Sequence, residues 1–209
     1  MNPSFEERLL LAVVVRFESE GLANYRSHAP NLETEPKRRL IADLGALAAG
    51  ADELAGSALA APVAALLAAA ESSDTTETLC VQGMVLETLG HTIYAAAAGA
   101  DGVSQQAGQL ARRAMPLCRE VTGLAVAAFG AEIKESDSRF AEFSGATHDV
   151  LAALDAMAEP VDAVFGERFD IRFSELVGDF TADLVSVCGD LEMPRRKILA
   201  HLAGASMGF

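Results

Sequence analysis

The sequence predicts an all-α fold: one compact bundle of about seven helices, with residues 1–209 as a single domain. Three observations predict it. Hydrophobic residues make up 51% of the 209 positions, mostly Ala and Leu, with 6% aromatic residues and no Trp. Ala and Leu lose little side-chain freedom in a helix. Helix-start signals recur along the chain, each just ahead of an apolar run. The connections between them are short, and no long Gly/Ser-rich linker marks a domain boundary.

The elements follow in order. Ser4 and Glu7 make a capping-box pattern ahead of "RLLLAVVV", which predicts a helix over about 5–27. The β-branched run alone would also fit a buried strand; the box and the following "ESEGLANY" favour the helix. "SHAPNLETEP" is a connector, and Pro36 suits the first turn of a second helix that reaches about Leu54, with a break near Gly50. A third covers about 57–71. "ESSDTTE", with Asp74 and Glu77 at capping-box spacing, opens a fourth over about 75–98, and "GADG" closes it. A fifth spans about 103–133, with Pro116 predicting a kink or break. A sixth runs over about 138–158 and is expected to stop before Pro160. An apolar segment to Phe165 and the turn "GERFD" lead to a seventh over about 171–188, and a short helix over 195–206 ends the chain. "PKRRLIADLGALAAG" (36–50) and "PRRKILAHLAGASMG" (194–208) share five of fifteen positions, which a weakly duplicated helix pair would produce, as would helix-start grammar in an Ala-rich chain.

Charge narrows the function classes. The net charge is −14, and residues 1–100 hold 6 basic and 13 acidic groups against 10 and 17 beyond them, so each half carries −7. Such a surface repels a phosphate backbone and an anionic bilayer, so nucleic acid and membrane are excluded as expected partners. The basic residues gather in Lys37-Arg38-Arg39, Arg112-Arg113 and Arg195-Arg196-Lys197, which read as solvated helix faces. Cys80, Cys118 and Cys188 lie far apart in apolar context, with no CxxC spacing. They read as buried free thiols, which suits a cytoplasmic location. The start of the chain has acidic residues where a signal peptide needs a basic segment. The longest uncharged stretch, Leu54 to Ala70, is mostly Ala and is interrupted by Gly56, Ser57 and Pro62. That falls short of the about 20 apolar residues a membrane span needs.

One stretch stands out chemically, "LCVQGMVLETLGHTIYAAAAGA" (79–100). On a helical wheel Val81, Val85, Leu89 and Ile93 share an apolar face, while Glu87, His91 and Tyr94 fall together on the other side. A helix so apolar around most of its circumference should be central. Glu87 and His91, four apart, can pair with each other. Alternatively the stripe lines a pocket, with Glu87, His91 and Tyr94 as ligand or metal candidates and Glu18 or Glu20 of the first helix converging on it.

Other motifs test negative. Di-iron carboxylate bundles use Glu-x-x-His, and the residues three before each His here are Tyr25, Thr88, Gly145 and Ile198. His148-Asp149 is an adjacent pair of the kind helical metal phosphohydrolases use, with His91 and Asp155 or Asp162 as nominal partners. No nucleophile elbow, P-loop or dinucleotide-binding glycine pattern is present. The expected function is therefore non-enzymatic: an acidic helical bundle acting through protein–protein contacts, with a second copy covering apolar helix faces in a homo-oligomer. The alternative is a bundle that binds a ligand or metal at the stripe of the fourth helix. No cofactor is specified.

Overall fold

Helix α1, Phe5–His28, starts where Ser4 Oγ accepts the Glu7 N–H at 3.2 Å. The reciprocal half of the expected box is not made. The Glu7 carboxylate accepts instead from the Ser104 N–H at 3.0 Å and from the Ser104 hydroxyl. Ser104 is itself the N-cap of a later helix, so one buried acid ties two helix starts together.

The computed structural model describes residues 3–72, 74–166 and 173–190, and among them there are helices and no strands. Helix α2, Glu35–Gly45, is capped by Thr34 with Pro36 in its first turn. It ends earlier than the sequence suggests, and a short α3, Ala51–Ala55, follows Gly50. Helix α4 is Ala60–Ala69. Helix α5, Thr75–Cys80, begins where Asp74 accepts from the Thr76 and Glu77 N–H groups. It continues directly into a π-helical segment, Val81–Leu86, and then into α6, Glu87–Gly99. Helix α7 is Gln105–Glu135 and runs through Pro116. Helix α8, Asp137–Val161, passes the expected stop at Pro160. Proline there removes one donor near a helix end, and the Asp162 N–H still reaches the Ala158 and Glu159 carbonyls, which carries the helix over. A π turn, Asp162–Gly166, and α9, Phe173–Asp190, complete the described elements. The turn expected over 167–170, the helix over 195–206, the third basic cluster and the second half of the internal echo lie outside the described residues.

The chain from Thr75 to Gly99 is the central rod. From Thr78 to Val85 every residue is buried, and Glu87, Thr88, Leu89, His91, Thr92 and Tyr94 are buried beyond it. Helix α7 lies along it, presenting Ala107, Ala111, Ala114, Cys118, Val121 and Ala125 at helical spacing. These small residues let the two backbones come close. Gly83 shows how close, because a Cβ built on it would stand 2.6 Å from the Ala125 Cβ. Two apolar clusters flank the rod: a larger one reaching α4, α8 and α9, and a smaller one of α1, α2, α6 and α7 side chains.

Candidate functional site

At the boundary between these clusters lies a buried charged group. Glu18 and Tyr25 sit seven residues apart on one face of α1. Lys37 comes from the first turn of α2, Glu87 and Tyr94 from α6, and Cys118 from α7. The Lys37 ammonium donates to Glu87 Oε2 at 2.5 Å, to Glu18 Oε2 at 2.7 Å and to Cys118 Sγ at 3.3 Å. Those contacts match its three N–H bonds. Tyr94 donates to Glu18 Oε1 at 2.8 Å and Tyr25 to Glu87 Oε1 at 3.4 Å, so each of the four carboxylate oxygens faces a donor.

Lys37 is 1% exposed, which makes it the most deeply buried charge among the described residues. Burial lowers its proton affinity, but the Glu18 and Glu87 carboxylates outweigh that and hold it as an ammonium. They also offset its position at a helix N-terminus, where a cation is disfavoured. One ammonium faces two carboxylates, and burial pushes Glu87 up to about 7 against the pull of Lys37. Burial also raises Tyr25, Tyr94 and Cys118, which keeps all three protonated, the two tyrosines as donors to Glu87 and Glu18.

Glu18, Glu87 and Cys118 offer ligand atoms within 4.8 Å of one another, a geometry suited to a metal ion. The ammonium already bonds all three. The cluster therefore carries its own cation, and a metal would have to displace Lys37. A cavity of only about 40 Å³ lies against it, lined by Glu18, Tyr25 and Glu87 of the cluster with Gln82 and apolar side chains such as Val14, Leu89 and Ile93.

His91 turns away from this cluster. Its Nδ1 lies 3.4 Å from Asp183 Oδ2 of α9, and Thr92 donates to the same oxygen at 3.2 Å. A carboxylate only accepts, so Nδ1 carries a proton toward Asp183. Nε2 is the only buried side-chain nitrogen or oxygen without a hydrogen-bond partner among the described residues. His91 also lines a cavity of about 330 Å³ between α6, α7 and α9, together with Thr88, Arg119, Thr122, Gly123, Val126, Asp183, Ser186 and Val187.

The stripe read from the sequence thus divides. Glu87 and Tyr94 join α1 and α2, while His91 faces α9, and the Glu87–His91 pair is not made. On the wheel His91 lies about 40° from Glu87 on one side and Tyr94 about 20° on the other, enough to reach different neighbours in a crowded core. Glu18 converges on Glu87, whereas Glu20 pairs with Arg16 on the surface. The basic trio is not a uniformly solvated face. Arg38 and Arg39 are exposed and pair with Glu33 and Glu35, but Lys37 is internal. His148 and Asp149 are exposed, and no metal-ligand grouping forms around them among the described residues. Lys37, Cys118, Asp183 and Arg119 were not foreseen as site residues. A signal for Lys37 existed: it shares a helical face with Leu40, Ile41 and Leu44, all buried. Compared with known proteins, the chain matches no family model and no curated protein.

Proposed function

We propose that this chain is a small-molecule-binding helical bundle whose ligand sits between α6, α7 and α9, and that it binds the ligand without transforming it. The observation that carries this reading is the cavity of about 330 Å³ that His91 lines with Arg119 and Asp183, the Nε2 of that same ring being buried without a partner. An unsatisfied buried polar atom costs about 1–3 kcal/mol, and a small turn of the ring on binding a polar ligand would pair it. The cavity volume falls in the range of small-molecule sites. Among the described residues Phe5, 54% exposed, is the only exposed large hydrophobic side chain, while Leu10, Val15, Phe17, Leu86 and Ile93, on the faces expected to need a second copy, are partly buried. A cytoplasmic location is part of the proposal, supported by the free buried thiols of Cys80 and Cys118. No described helix is long and apolar enough to cross a membrane.

The test is a screen of small polar fragments against histidine-labelled protein, read by thermal shift and by the ring signals of His91. Hits should raise the melting temperature and move the His91 ring, and His91→Ala should abolish both effects. If no fragment moves the His91 signals, the proposal is wrong.

A further inference from the structure

On the face of α6 away from the His91 cavity lie two smaller cavities that share no lining residue with it. One is the space of about 40 Å³ between α1, the π segment and α6. The other, about 70 Å³, lies between α1, α4, α6, α8 and α9 and has no polar lining residue. Val14, Phe17, Leu89 and Ile93 line both, so the two adjoin across a wall of these four side chains. An apolar cavity of about 150 Å³ stays dry and holds benzene, so these two spaces suit a somewhat smaller guest.

The polar lining belongs to the first space alone: Glu18, Tyr25, Gln82 and Glu87. Gln82 is the one whose hydrogen bonding is incomplete. It is 3% exposed, and its Oε1 accepts from Asn24 Nδ2 at 3.1 Å. Its amide N–H groups donate to nothing among the described residues. Unlike His91 Nε2, the Gln82 nitrogen keeps accessible surface, and the space Gln82 lines is this cavity. The site therefore calls for an acceptor. Charge decides which one. Glu18 and Glu87 line the cavity and Lys37 does not, so an anionic head would meet two carboxylates. An ammonium offers Gln82 no acceptor and would stand beside the Lys37 ammonium, which already bonds both acids. A hydroxyl is neutral, accepts from Gln82 and donates to Glu18, whose oxygens retain a second lone pair each.

We propose that these adjoining cavities are a second binding site, for a small neutral alcohol. Its hydroxyl sits between Gln82 and Glu18, and its hydrocarbon body lies against Val14, Phe17, Leu89 and Ile93. Phe17 and Ile93 are only partly buried, so their side chains can turn to admit it.

The experiment titrates the full chain with 1-butanol, butyrate and butylammonium. The chain has two tyrosines, Tyr25 and Tyr94, and no Trp. Tyr25 lines the cavity and Tyr94 bonds Glu18, so tyrosine fluorescence reads this site. 1-Butanol should change the emission saturably and leave the His91 ring signals in place. Butyrate and butylammonium should bind about tenfold or more weakly. Gly21→Ala adds a methyl to the cavity wall, its Cβ 3.9 Å from the Tyr25 ring. Alanine is the better helix former, so this variant should melt no lower than wild type, yet bind 1-butanol about tenfold more weakly. Gln82→Leu, which keeps the bulk and removes the amide, should weaken 1-butanol by a similar factor. Butyrate or butylammonium binding as tightly as 1-butanol would overturn the neutral head. Unchanged 1-butanol binding in folded Gly21→Ala or Gln82→Leu, or no saturable change in wild type, would overturn the site. Movement of His91 with 1-butanol would also overturn it, and would leave the reading of the larger cavity standing.

Discussion

Lys37 holds together side chains from α1, α2, α6 and α7, and its removal should expose what it neutralises. Lys37→Ala leaves Glu18 and Glu87 buried without their cation, a loss of about 3–5 kcal/mol by analogy with other broken buried pairs. Denaturant titration should show it. The same substitution frees Glu18, Glu87 and Cys118 as ligands, so added Co²⁺ should bind the variant, raise its stability and give a thiolate-to-cobalt absorption band. Wild type should show no such band; stoichiometric cobalt in wild type would mean the ammonium yields to metal. Glu87 adds a pH signature. Its folded pKa is raised from 4.5 to about 7, so across that interval the folded state holds more protons than the unfolded state. Its contribution to stability is fully present below pH 4.5 and is lost as pH rises through about 7. The difference in stability between wild type and Glu87→Gln should carry that slope, and a pH-independent difference would contradict the assignment. At this scale the sequence made Glu87, Tyr94 and Glu18 visible as polar groups in apolar helices. The place of Lys37 on the face of Leu40, Ile41 and Leu44 signalled its burial, but which acids it meets depends on how α2 docks.

At the scale of elements, the π-helical segment Val81–Leu86 and its contact with α7 decide how the central rod sits. Gly83 lies where a Cβ would clash with Ala125, so Gly83→Ala should destabilise the fold by about 1–3 kcal/mol. Adding Ala125→Gly should restore part of that loss, less about 1 kcal/mol for glycine in a helix. Additive losses in the double variant would mean the two backbones do not meet there. Helix starts were legible because their chemistry is local: Ser4, Thr34, Asp74 and Ser104 all accept from the first turn of the helix they precede. Helix interiors were less so. Pro116 and Pro160 signal breaks locally, but α7 and α8 run on because both are long rods packed along their length. The π segment leaves no local signal in the sequence; it coincides with the close approach of Gly83 to Ala125 of α7.

At the scale of the molecule, the all-α bundle followed from composition and patterning, because an Ala- and Leu-rich chain has few other ways to bury its apolar surface. Which faces meet inside the bundle did not follow. The wheel put Glu87, His91 and Tyr94 on one stripe, and only the docking of α1, α2 and α9 around the rod divides them. That docking covers part of the apolar faces that suggested a homo-oligomer and leaves Leu10, Phe17 and Ile93 partly buried. A ligand-binding role needs no second copy, so light scattering should give a monomer mass at micromolar concentration, and a stable dimer would return weight to a role through protein contacts. The central claim is that the cavity His91 lines takes a small polar ligand, and ¹⁵N spectroscopy of the His91 ring with and without the fragments tests it most directly. The account predicts a proton on Nδ1 facing Asp183, with the ring resonances moving saturably on addition of a hit. No movement with any fragment would contradict it.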